Sequence, residues 1–155
     1  MYKRQLYEQL ELLKKNKVAV VCGILSGTLA SLTGIFVLCM LFGFNHQQYV
    51  TMLPKSITTA IGIGISEELG GIVTITVAVI IITGILGNVI ADTVFHIFKI
   101  KNPLAKGLAL GTASHAIGTA RAIEMGPVEG AMSSLAVAVA GLLTVVFVSG
   151  FAQLI

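Results

Sequence analysis

Three stretches without a single charge dominate the hydropathy pattern of this chain: Val18 to Gly43, Leu69 to Ala91 and Ala131 to Ile155. Each exceeds the roughly 20 apolar residues that a helix needs to cross a bilayer, so each predicts a spanning helix. Between them lie two segments of another kind. One starts after Leu53-Pro54-Lys55, and its uncharged part, Ser56 to Ser66, has 11 residues. That is too short to cross, and Gly62 and Gly64 interrupt it. The other, Leu104 to Met125, is long enough to cross but carries Gly107, Gly111, Gly118, His115 and Arg121. The two segments contain near copies of each other: residues 60–70 (AIGIGISEELG) and 116–126 (AIGTARAIEMG) align at an offset of 56 with five identities in eleven.

Charge placement turns this pattern into a topology. The tail before Val18 holds five basic residues, the loop after the first span only Lys55, and the stretch after the third segment Lys99, Lys101 and Lys106. Basic residues favour the cytoplasmic side, so both clusters are expected there. The first span then goes out and the third segment returns. The second segment must dip into the membrane and come back on its own side, and the fourth must do the same from the cytoplasmic side. The expectation is an all-α polytopic inner-membrane protein with three full spans and two re-entrant, broken segments. Repeat units 18–70 and 72–126 would form an inverted repeat, with a final span over 128–155, a plan common among transporters. Residues 1–17 read as a separate unit, an amphipathic helix on the cytoplasmic membrane surface. Leu6, Leu10 and Leu13 share one of its faces, and an ordinary linker helix is the open alternative.

Composition agrees with a membrane class. The chain of 155 residues is 55% hydrophobic and 11% charged, where soluble domains carry about 25% charged residues. The net charge of +3 sits at helix ends, so nucleic acid is not an expected partner. The lipid bilayer is. Cys22 and Cys39 would lie roughly 25 Å apart on one helix at 1.5 Å per residue, too far for a disulfide. The apolar run after Lys14, Lys15 and Lys17 is too long for a signal-peptide core, so it predicts a retained helix.

Candidate chemistry centres on residues 107–121. On a continuous helix, Thr112, His115 and Thr119 share a face, with Ser114, Gly118 and Arg121 as the adjacent stripe. An arginine at this depth calls for a cavity or a partner, and its planar fork suits a carboxylate. Pairing with Glu124 or Glu129 is the competing role for Arg121. His115 could couple protons or simply hold a hydrogen bond. Thr58 and Thr59 offer matching hydroxyls in the other copy, and the glycines could equally serve helix packing. Asp92 and His96 are spaced to touch. Glu67 and Glu68 should be solvated. No hydrolytic signature, phosphate-binding loop or metal-ligand spacing is present, so no enzymatic activity, metal or cofactor is expected.

Several blocks strongly resemble the LrgB/CidB family: residues 53–59 (LPKSITT), Ile65-Ser66-Glu67 with Gly70-Gly71-Ile72, residues 82–87 (ITGILG), and above all residues 105–122 (AKGLALGTASHAIGTARA). The similarity runs over nearly the whole chain. Typical members begin with further spanning helices, which this chain is expected to lack. They also usually have proline where Ala60 stands and often glutamate where Gly64 stands. The resemblance implies two functions. One is an antiholin-like regulator of murein hydrolase export and lysis, acting with a small LrgA/CidA-type membrane partner. The other is carboxylate transport, as in plastidic glycolate/glycerate relatives. The sequence reading favours transport of a small organic acid of the pyruvate or glycolate class, through a site containing Thr58, Thr59, Thr112, Ser114, His115, Thr119 and Arg121. A purely structural membrane subunit and a homo-oligomer are further expectations.

Overall fold

A computed structural model describes Glu11 and residues 13–155, so most of the expected surface helix over 1–17 lies outside the described residues. Six helices follow: α1 (Lys17–Phe42), α2 (His46–Met52), α3 (Thr59–Glu68), α4 (Val73–Ile97), α5 (Pro103–Met125) and α6 (Pro127–Ala152). Among the described residues, α1, α4 and α6 are the helices long and apolar enough to span a membrane. At 25 or 26 residues each, they extend about 38 Å against a hydrocarbon core of about 30 Å.

Local sequence explains the boundaries. Gly43 ends α1 in the left-handed conformation (φ 66°), and the Phe44 N–H bonds back to the Cys39 carbonyl at 2.9 Å, a glycine stop with a well-known geometry. Asn45 and Gln48 then form a reciprocal capping box that starts α2. Asn102 caps α5 ahead of Pro103, and Pro127 opens α6. In both cases proline occupies a first-turn position where its missing N–H costs nothing.

Two apolar clusters mark the two ends of the bundle. Val20, Ile24, Leu108 and Met132, with Leu13, Leu104 and Val128 against them, gather where α1, α5 and α6 begin; this is called the lower end. Ile35, Cys39, Tyr49, Leu53, Ile65 and Val148 gather at the upper end. There the Tyr49 hydroxyl donates to the Phe151 carbonyl at 2.9 Å.

The chain reverses twice between these ends. From the upper end, α2 leads down to a turn at which Ser31, in the middle of α1, donates to Ser56 at 3.0 Å. α3 then climbs back until the Ser66 and Thr76 hydroxyls share a hydrogen bond at 2.8 Å and the Ile72 N–H reaches the Thr51 hydroxyl at 2.8 Å. The second reversal lies inside α5, where His115 takes φ 44° and ψ −139°. Before the break, Gly107 and Gly111 lie against Glu129 and Ser133 of α6. After it, Thr119 returns to Ser133 at 2.7 Å, and Gly130 lies against Ile123. Leu110 and Ala122, twelve residues apart, consequently share one cluster. Instead of carrying Thr112, His115 and Thr119 on one face, α5 separates Thr112 from Thr119 onto two arms. The expected face required helical dihedrals at His115, which it does not have.

Close approach between α5 and α6 depends on glycine. A Cβ at Gly111 would meet the Ser133 backbone and, at 2.7 Å, Ala136 Cβ, whereas at Gly64 it meets nothing within 4 Å. Overpacking of this kind costs about 1–3 kcal/mol. Gly111→Ala should therefore destabilise the protein by roughly that amount, and Gly64→Ala should be neutral or mildly stabilising through helix propensity. Denaturant unfolding in detergent micelles would measure both, and equal effects at the two positions would contradict this packing.

Candidate functional site

Polar side chains gather where the two reversals meet the middle of the bundle. His115 is buried, and its Nε2–H donates to the Ile80 carbonyl of α4 at 2.9 Å. Two α4 glycines make room for this tip. A Cβ on Gly84 would sit 2.8 Å from the His115 ring, and one on Gly87 would collide with the Ser114 side chain. Asn88, one residue on, donates to the Ile117 carbonyl at 3.1 Å.

The seven residues singled out from the sequence do not form one cluster. Thr112 is buried and donates to the Leu108 carbonyl at 2.9 Å. With Ser31 and Ser56 it lines a groove of about 600 Å³ between α1, the α2–α3 turn and the first arm of α5. Ser114 faces a second groove, of about 320 Å³, between that arm and α4. Thr119 donates to the His115 carbonyl at 2.9 Å and shares a hydrogen bond with Ser133. Thr58 precedes α3 without capping it through its side chain, and Thr59 is the first residue of that helix. Neither makes a side-chain hydrogen bond to the α5 tip among the described residues.

Arg121 stands apart, on the returning arm. It pairs with Asp92 of α4 through one nitrogen and with Glu124 through the other at 2.7 Å. The hydrogen bonds of Asp92 first, and then of Glu124, raise its pKa above the ordinary value. The expected Glu124 partner is present, and Asp92 joins it. Asp92 makes this contact in place of a hydrogen bond to His96. Glu67 and Glu68 are exposed, and both cysteines are free, Cys22 exposed and Cys39 buried.

One residue of the centre was missed as a site residue. Lys55, in the α2–α3 turn, is partly buried, and its Nζ donates to Ser56 Oγ at 2.7 Å. It lines both grooves, as do Ala109 and Ala113. Among the described residues the carboxylate ion pairs involve Arg121, and none involves Lys55. Its signal in the sequence was its position immediately before the segment too short to span, which turns a loop lysine into one carried inward.

Comparison with known proteins follows the same outline. A model described as the LrgB-like family matches residues 4–154. A Bacillus subtilis (strain 168) protein named "Antiholin-like protein LrgB" is 40% identical over 150 residues, covering 97% of this chain and 65% of that protein. Proteins of the same name from Bacillus cereus (strain B4264) and Bacillus anthracis (strain CDC 684 / NRRL 3495) are each 41% identical over 146 residues, covering 94% of this chain and 64% of theirs. The chain thus spans a little under two thirds of these relatives. No solved structure matches.

The contact between Asp92 and Arg121 predicts a charge-swap result. Asp92→Arg should lower the thermal unfolding midpoint in detergent by setting two cations together, and adding Arg121→Asp should restore part of the loss. Strictly additive effects of the two substitutions would show that the residues do not interact.

Proposed function

The chain belongs to the LrgB-like family, and from that premise we propose that it is an antiholin-like membrane protein whose molecular activity is the passage of small organic acids of the pyruvate and glycolate class. The two halves rest on different supports, and the antiholin-like half has the stronger one. It is the name borne by relatives about 40% identical over nearly this whole chain. On this reading the protein modulates murein hydrolase export and lysis beside a small LrgA/CidA-type membrane partner.

The single observation that carries the transport half is the groove of about 600 Å³ that brings Lys55, Ser31, Ser56 and Thr112 together in an otherwise apolar bundle. Polar, irregular backbone at membrane depth is tolerated where protein or a wet cavity surrounds it. We take the α2–α3 hairpin and the broken α5 as segments that re-enter the membrane from opposite sides, related as an inverted repeat. The lower end, with Lys14, Lys15, Lys17, Lys99, Lys101 and Lys106 near it, would be cytoplasmic by the positive-inside rule. Thr58, Thr59, Thr112, Ser114, His115 and Thr119 would border the path. Arg121, paired with Asp92 and Glu124, would brace the returning arm at its cytoplasmic mouth. Altered carboxylate flux would then link the transport activity to the lysis phenotype.

Topology and activity can be tested separately. In a chain with Cys22→Ser and Cys39→Ser, cysteines at Gln47 and Lys101 should react with a membrane-impermeant maleimide from opposite faces. Reaction from the same face would end the opposed-hairpin arrangement. In proteoliposomes, with and without the small partner, labelled pyruvate or glycolate should enter saturably, and Ser56→Ala should reduce uptake severalfold. No uptake of either acid in either preparation, with an effect on lysis retained in cells, would remove the transport half and leave the antiholin-like half standing.

A further inference from the structure

We propose that Lys55 and Ser56 form the anion-recognition element of the central groove, a pair of unspent hydrogen-bond donors that takes one small, singly charged oxyanion. The proposal deepens the transport reading and rests on it.

Counting donors and acceptors carries the assignment. A serine hydroxyl has two acceptor lone pairs and one donor hydrogen. Ser56 Oγ accepts from Lys55 Nζ at 2.7 Å and from Ser31 Oγ at 3.0 Å. Both lone pairs are therefore engaged, and its own O–H is left to donate. An ammonium has three donor hydrogens, of which Lys55 spends one on Ser56. Ser31 gives its hydrogen to Ser56. The cluster therefore presents two N–H groups and one O–H with one positive charge, and among the described residues no carboxylate or carbonyl is paired with them. A cation has no place there, and a neutral ligand would leave the charge unmatched. A carboxylate or a comparable oxyanion satisfies all three donors and the charge together, through charge-assisted hydrogen bonds.

Position supports the count. Lys55 borders both grooves, on the two sides of the first arm of α5. That arm presents Ala105, Ala109 and Ala113 between α1 and α4, and the small side chains leave the approach to Lys55 open. Ser56 is 6% exposed and Lys55 partly buried, so these donors sit in the wall of the groove and not on the outer surface. Arg121, on the more exposed returning arm, already holds two carboxylates and has no comparable surplus.

The test uses the purified chain in nanodiscs, with sodium acetate and inorganic phosphate as probes and the thermal unfolding midpoint as readout. Acetate should raise the wild-type midpoint saturably. Lys55→Gln should weaken the acetate response at least tenfold while its midpoint without acetate is equal or higher, since an unmatched buried charge has been removed. Lys101→Gln, an exposed lysine, should respond as wild type. A lysine acting only as a structural clip gives the opposite pattern, a lower basal midpoint with acetate affinity intact, and that result would overturn the assignment while leaving the transport reading in place. A wild-type response to phosphate but not acetate would keep the oxyanion site and remove organic acids as its ligand. No wild-type response to either probe would overturn both. Should Lys55→Gln fail to fold, Ser56→Ala carries the same comparison: a severalfold weaker acetate response supports the assignment and an unchanged one overturns it.

Discussion

A helix that stops inside an apolar bundle strands backbone carbonyls and N–H groups that water cannot reach, and satisfying them is the constraint on which this structure depends. The break at His115 is pinned by side chains from both arms and from α4: the His115 carbonyl receives the Thr119 hydroxyl, the Ile117 carbonyl receives the Asn88 amide, and the His115 ring bonds the Ile80 carbonyl. At the upper end, the Thr51 hydroxyl takes the Ile72 N–H, and Thr76 donates to the Thr51 carbonyl. Among the described residues, every buried side-chain nitrogen and oxygen has a partner. The Thr51 and Thr76 hydroxyls take up backbone groups that helix ends leave open, whereas those of Thr28, Thr112 and Thr144 add a bond to a carbonyl four residues back inside a helix.

That accounting changes how the polar residues bear on function. The hydroxyls of Thr112 and Thr119 spend their donors on the backbone, and the ring of His115 is tied to α4. They shape the centre and offer at most acceptor lone pairs to a ligand. What distinguishes Lys55 and Ser56 is surplus, because their donors outnumber the acceptors available to them. In a membrane interior, where an unmatched donor is costly, a surplus needs a reason that a packed bond does not.

The spans were legible because absence of charge over some twenty-five residues is an unambiguous signal, and the shortness of residues 56–66 was equally plain. The centre was less so, for reasons visible in particular residues. A heptad-like spacing put Thr112, His115 and Thr119 on one face, but helical spacing says nothing about a residue that leaves helical dihedrals, and the break falls on a histidine and not on one of the neighbouring glycines. Those glycines were divided in the sequence reading between kinks and packing. The structure uses Gly107 and Gly111 against α6 and Gly84 and Gly87 against the α5 tip, while Gly34, Gly64 and Gly150 face open space. The link between Arg121 and Asp92 joins positions 29 residues apart, a separation that no local pattern encodes. Lys55 was read for its charge in a topology count, which treats a lysine as a label for a side of the membrane and not as a group that the next turn draws inward.

Arg121 and Lys55 illustrate how the same charge can be given different work. Arginine offers a rigid planar fork, and in Arg121 both sides of the fork are occupied, by Asp92 from α4 and Glu124 from its own arm. A ligand carboxylate would have to displace one of them, and the exchange would return little, since one carboxylate replaces another. The pair instead fastens the returning arm of α5 to α4 at the lower end, opposing the tendency of a ten-residue arm to fray. Lysine is a compact charge on a flexible stem. Lys55 borders a groove on each side of an alanine-faced arm, and its ammonium can follow a small anion without breaking an ion pair, because among the described residues it has none to break. The residue that looked most suited to hold a carboxylate is thus the one already holding two, and the free charge sits at the other reversal.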